Sequence, residues 1–87
     1  MTHILDQPVD LRSAADGRPA AFRWKGRWHR VAEVLEEWVY QEAWWERGEM
    51  PGRSPQRNFY RVRTEDGAIF ELAVGPNGAA SVYRTFD

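Results

Sequence analysis

The side chains able to do covalent or proton-transfer chemistry are few: serines at Ser13, Ser54 and Ser81, histidines at His3 and His29, and no cysteine. A nucleophilic serine needs a base and an orienting acid at the right spacing. No such motif surrounds any of the three, so the chain is not expected to be an enzyme. It holds neither G-x-G-x-x-G nor G-x-x-x-x-G-K-[ST], the loops whose backbone amides cradle phosphates. Two histidines without thiolates fall short of the usual zinc ligand sets. Glu33, Glu36, Glu37, Glu42, Glu46 and Glu49 could supply a carboxylate pair to a divalent cation. No Gly-marked loop fixes their geometry, however, and a solvated acidic surface is the simpler expectation. No metal or cofactor is therefore expected. His29 has two readings: a partly buried ring hydrogen-bonded to its surroundings, or a ligand or catalytic group.

What remains is non-covalent recognition, and there the charge order is informative. From Gly17 to Ala32 five basic residues occur without an acid; from Glu33 to Met50 there are six glutamates and one arginine; from Pro51 to Arg63 there are four arginines and again no acid. The formal net charge of -1 over 87 residues hides this basic, acidic, basic pattern and excludes global attraction to nucleic acid or an anionic membrane. Local patches are the alternative. The size allows one domain, residues 1–87, in which residues 1–7 can form a disordered N-terminal arm and the Gly- and Pro-rich residues 48–57 a loop. No run of about 18 apolar residues and no signal-peptide pattern occurs, so a soluble, cytoplasmic protein without membrane contact is expected.

Turn chemistry sets the elements. Asp16-Gly17 reads as a two-residue hairpin turn that pairs Leu11 with Phe22 and Val9 with Trp24. Lys25-Gly26 makes a second tight turn, pairing Phe22 with His29 and Arg23 with Trp28. A two-residue Asp66-Gly67 loop would set Val62 against Glu71. A three-residue loop, Glu65-Asp66-Gly67, instead pairs Val62 with Phe70 and Tyr60 with Leu72, keeping the apolar residues on one face. Gly75-Pro76-Asn77-Gly78 precedes a last strand near Ser81–Phe86, whose facing the pattern leaves open. Between Arg30 and Arg47 the spacing of Val31, Val34, Leu35, Trp38 and Trp45 together with the glutamates suits a helix, whereas Trp38-Val39-Tyr40 and Trp44-Trp45 suit strands; spacing does not decide.

The segments Pro8-Val9-Asp10-Leu11, Asp16-Gly17-Arg18-Pro19, Phe22-Arg23-Trp24-Lys25-Gly26-Arg27, Val31-x-Glu33-Val34-Leu35, Trp38, Trp44-Trp45 and Tyr60-Arg61-Val62 resemble a small uncharacterised bacterial domain family. That family occurs alone and at the C-terminal end of ImuB-like proteins, catalytically degenerate Y-family polymerase relatives of translesion synthesis. The resemblance implies bent strands between residues 30 and 47, and a setting in DNA damage tolerance without an assigned activity. The family's last strand usually carries a Trp and a Leu, where Ala80 and Val82 stand here.

The fold expected is all-β, a small SH3-like or partly open antiparallel barrel of five or six strands. If Phe22, Trp24, Tyr60 and Val62 point inward, two strands present basic residues interleaved with aromatics on their outer faces. Arg23, Lys25, Arg30, Arg61 and Arg63 are then candidates for phosphate contact, and Trp28 or Phe59 for base stacking, as on single-strand-binding platforms. The bland alternative is a set of arginine stems covering apolar surface and answering the glutamates. Trp44 and Trp45 are adjacent, so in a strand they face opposite ways, one capping the barrel or anchoring a protein interface. The expectation is a binding module acting as an accessory or adaptor in DNA repair, with single-stranded DNA and a repair or translesion polymerase protein as partners. The rival is a protein-interaction domain anchored by Trp44 or Trp45 without nucleic-acid contact. Oligomeric state stays open.

Overall fold

The computed structural model describes residues 3–41, 56–75 and 78–86. Six strands follow one another as β1 (His3–Ser13), β2 (Pro19–Trp24), β3 (Arg27–Gln41), β4 (Gln56–Thr64), β5 (Ile69–Val74) and β6 (Ala80–Phe86). Each pairs antiparallel with its neighbour in sequence, and β1 pairs with β6, so the barrel is closed. The expected N-terminal arm is corrected in part, because residues 3–7 belong to β1 and pair there with β6. Likewise Gln56 and Arg57, expected in a loop, begin β4.

Three hairpins follow the turn residues. Lys25 (φ 51°) and Gly26 (φ 78°) both adopt the left-handed conformation that a type I′ turn requires, and Trp24 pairs with Arg27 as expected. Glu65-Asp66-Gly67 is the three-residue loop, closed by Thr64 N–H donating to the Ala68 carbonyl at 2.9 Å, and it sets Val62 opposite Phe70. The Asp16-Gly17 turn differs from expectation. Ala14 N–H donates to the Arg18 carbonyl at 2.8 Å, so the loop holds Ala15, Asp16 and Gly17, with Gly17 left-handed at φ 87°. A register shift between Arg12 and Ser13 then restores Leu11 opposite Phe22. The core face is the one anticipated, reached through a longer loop and a bulge.

Strand β3 resolves the ambiguous stretch as far as Gln41, and in doing so explains it. Register shifts fall between Val31 and Glu33 and between Val34 and Glu36. Each bulge inserts one residue, so the inward positions lie three apart instead of two: Val31 opposite Thr64 and Val34 opposite Val62, after which Glu37, opposite Tyr60, reaches out to Arg18. Helix-like spacing thus arises within a strand. The bulges also bend the 15-residue strand, which reaches around from the β2 side of the barrel to the full length of β4.

Phe22, Trp24, Val62, Phe70, Leu72 and Val82 form the buried core, with Val9, Leu11, Val31, Val34, Tyr60 and Ala68 packed against it. This matches the expected inward set and settles β6: Val82 faces in opposite Leu72, and a shift at Glu71/Leu72 puts Arg84 outside opposite Glu71.

Candidate functional site

The outer face of β1, β2 and β3 carries two cross-strand rows: Asp10, Arg23 and Trp28 in one, Arg12, Ala21 and Arg30 in the next. Alternation places them there, because Leu11, Phe22 and His29 between them turn inward. Trp28 is 43% exposed, and the Arg12 guanidinium reaches across β2 to lie 4.6 Å from its ring centroid. Arg23 lies 3.8 Å from the Asp10 carboxylate, both side chains largely in solvent. The Lys25 ammonium stands 5.4 Å from the Trp24 ring at the adjoining turn. Arg12, Lys25, Arg27 and Arg30 have no carboxylate partner within 4.0 Å among the described residues. Of the seven residues expected to meet nucleic acid, Arg23, Lys25, Trp28 and Arg30 therefore stand together. Arg12 joins them, although sequence reasoning passed over it. The signal was available, since Leu11 turned inward forces Arg12 out, into register with Ala21.

The other three candidates lie on the outer face of β3 to β6, which has a different character. Phe59 does point away from the barrel interior, but it is 3% exposed. Trp38 stacks on it at 5.6 Å and 11°, Tyr83 meets it edge-on at 4.9 Å, and the Arg57 guanidinium lies 5.3 Å from its centroid. The expectation that Phe59 is free to stack on a base is thus corrected: side chains from β3 and β6 cover it. Arg61 is held between Glu36 and Glu71, and Arg63 donates to Glu33 at 2.7 Å. The Glu71 side chain is only 4% exposed, with Arg61 Nη2 at 3.5 Å and Arg84 Nε at 3.4 Å. A carboxylate so buried needs cationic partners. These arginines answer acids across the strands.

Two aspartates have depressed pKa values. Asp6, left-handed at φ 45° in the irregular part of β1, accepts hydrogen bonds from Arg57 at 3.0 Å and Ser81 at 2.8 Å, and the Arg57 bond chiefly lowers its pKa against an opposing desolvation. Asp66 is lowered mainly by the Thr64 hydroxyl it accepts from. Its carboxylate lies 3.8 Å from His29 Nδ1, while the His29 ring stacks on Phe22 at 5.5 Å. His29 is thus partly buried at the core edge, as the first of its two readings has it, held by ring contacts with Phe22 and Phe70 and, among the described residues, not by the expected hydrogen bond. Among the described residues no group of three or more His, Cys, Asp or Glu could hold a metal ion, and no helix is long and apolar enough to cross a membrane. Trp44 and Trp45 lie outside the described residues.

Fold and surface together define a small closed-barrel domain with an open arginine–tryptophan strand face on one side and a charge-paired aromatic face on the other. The chain belongs to the family described as a domain of unknown function (DUF6504), which matches residues 1–84. No curated protein and no solved structure matches it.

Proposed function

We propose that this domain is a non-enzymatic binding module that contacts single-stranded nucleic acid through the outer face of β1 to β3, with Arg12, Arg23, Lys25 and Arg30 at phosphates and Trp28 stacking on a base. The observation that carries the reading is the contrast between the two faces. Arginines that serve structure are paired with Glu33, Glu36 and Glu71 on the β3 to β6 side. On the β1 to β3 side Arg12 and Arg30 have no such partner among the described residues and flank an exposed indole. Unpaired guanidinium groups beside an exposed ring are the elements of sequence-tolerant single-strand binding. The resemblance to a domain at the C-terminal end of ImuB-like proteins supports an accessory or adaptor role in DNA damage tolerance. A titration of labelled single-stranded and duplex oligonucleotides by fluorescence anisotropy tests this. Single strands should bind at low salt, and Arg23→Glu combined with Arg30→Glu should abolish binding. No association of the wild-type protein, or binding that survives both charge reversals, overturns the reading.

A further inference from the structure

Arg12 and Arg30 occupy one cross-strand row, and the residue between them on β2 is Ala21. Two strand spacings put their backbones about 10 Å apart, and the methyl group of Ala21 leaves the space between the two arginine stems low. A tetrahedral oxyanion set over Ala21 would lie within reach of a guanidinium from either side, and paired arginines are the preferred ligands of such an anion. The neighbouring position on β3, about 6.7 Å along the strand from Arg30, is Trp28. Its ring is already covered by a planar cation, since Arg12 leans over it at 4.6 Å.

We propose that Ala21 is the floor of a phosphodiester subsite clasped by Arg12 and Arg30, and that Arg12 covers the Trp28 ring only until a base takes its place. The proposal rests on the reading above and specifies its ligand: a phosphate and its adjoining base from one strand, seated together. Arrival of the base frees the Arg12 guanidinium, which turns back over Ala21 to the phosphate. One movement thus fills both halves of the site. A long branched side chain at position 21, such as leucine, closes the subsite while leaving every charge in place, whereas one added hydroxyl does not.

Anisotropy with labelled oligothymidylate and with an abasic oligomer of equal length separates the possibilities. Ala21→Leu should weaken oligothymidylate binding at least ten-fold, with circular dichroism and thermal midpoint unchanged, whereas Ala21→Ser should bind as wild type. Arg12→Gln with Arg30→Gln, which leaves β2 untouched, should lose as much. The abasic oligomer should bind the wild-type protein measurably more weakly than oligothymidylate. If the wild type binds neither oligomer, the functional reading and the clasp fall together. If it binds, and Ala21→Leu binds equally well, the clasp alone falls; equal binding by the double glutamine variant, which removes two arginines that the functional reading itself places at phosphates, overturns both. Equal affinity for both oligomers overturns the exchange of Arg12 for a base.

Discussion

Trp28 and Phe59 are both aromatic, both turned away from the barrel interior, and both set among arginines, yet one is 43% exposed and the other 3%. Truncating them should separate packing from recognition. Phe59→Ala should destabilise the fold by about 3–5 kcal/mol, the range for a buried aromatic, whereas Trp28→Ala should shift stability by no more than about 1 kcal/mol, and chemical denaturation checks both. The Arg12–Trp28 contact is consistent with this: an exposed cation–π pair contributes about 0.5–1 kcal/mol, less than the roughly 1–3 kcal/mol of base stacking, so a base displaces the guanidinium. Asp6 gives a second prediction at this scale. Its folded-state pKa lies below its ordinary value of 3.8 through the Arg57 and Ser81 hydrogen bonds. The stabilisation is therefore present above that value and is lost as pH falls through the depressed one. Asp6→Asn, which tolerates the left-handed backbone, should lower the thermal midpoint at neutral pH and less so at pH 2. An equal loss at both pH values would show that the carboxylate charge plays no part. Alternation made the outward direction of both rings legible in the sequence. What covers Phe59 was not, because Trp38 and Tyr83 arrive from strands far away in the chain.

The turns were the most legible elements, since left-handed backbone restricts residue choice so strongly. Lys25 is the exception among them: at φ 51° it occupies the first central position of a type I′ turn, where Asn, Asp or Gly is preferred. The several-fold enrichment of Asn in that region corresponds to about 0.5–1 kcal/mol. Lys25→Asn should therefore raise stability by about that amount while weakening oligonucleotide binding, a trade measured by denaturation and anisotropy on the same variant. Stability unchanged or lowered would mean that the Lys25 contact with Trp24 outweighs the backbone cost. Strand β3 was legible only with help. Its bulges at residues 31–33 and 34–36 convert a two-residue period into a three-residue one, which is why Val31 and Val34 mimic a helix face. The resemblance, not the spacing, pointed to bent strands. The Asp16-Gly17 turn shows the same principle at smaller scale: a bulge beside a longer loop reproduces the register that a two-residue turn would give, so the core face was read correctly from a turn of the wrong length.

For the whole molecule, β1 and β6 pair to close the barrel, and Arg12 and Trp28 meet on the outer face of its strands. A formal net charge of -1 gives no long-range attraction to a polyanion. Binding must then come from the cations on the β1 to β3 face, where Arg23 lies 3.8 Å from Asp10 in solvent, and salt dependence counts them. Three or four phosphate contacts from Arg12, Arg23, Arg30 and Lys25 predict a log–log slope of affinity against salt of about -2 to -3 on single strands. Arg30→Gln should reduce its magnitude by about 0.7, the increment for one single-strand contact. Arg63→Gln is the control, because its guanidinium is committed to Glu33 at 2.7 Å on the opposite face; it should leave the slope unchanged. If both substitutions flatten the slope alike, the anion is attracted by diffuse charge over the barrel, and the division of labour between the two faces is wrong.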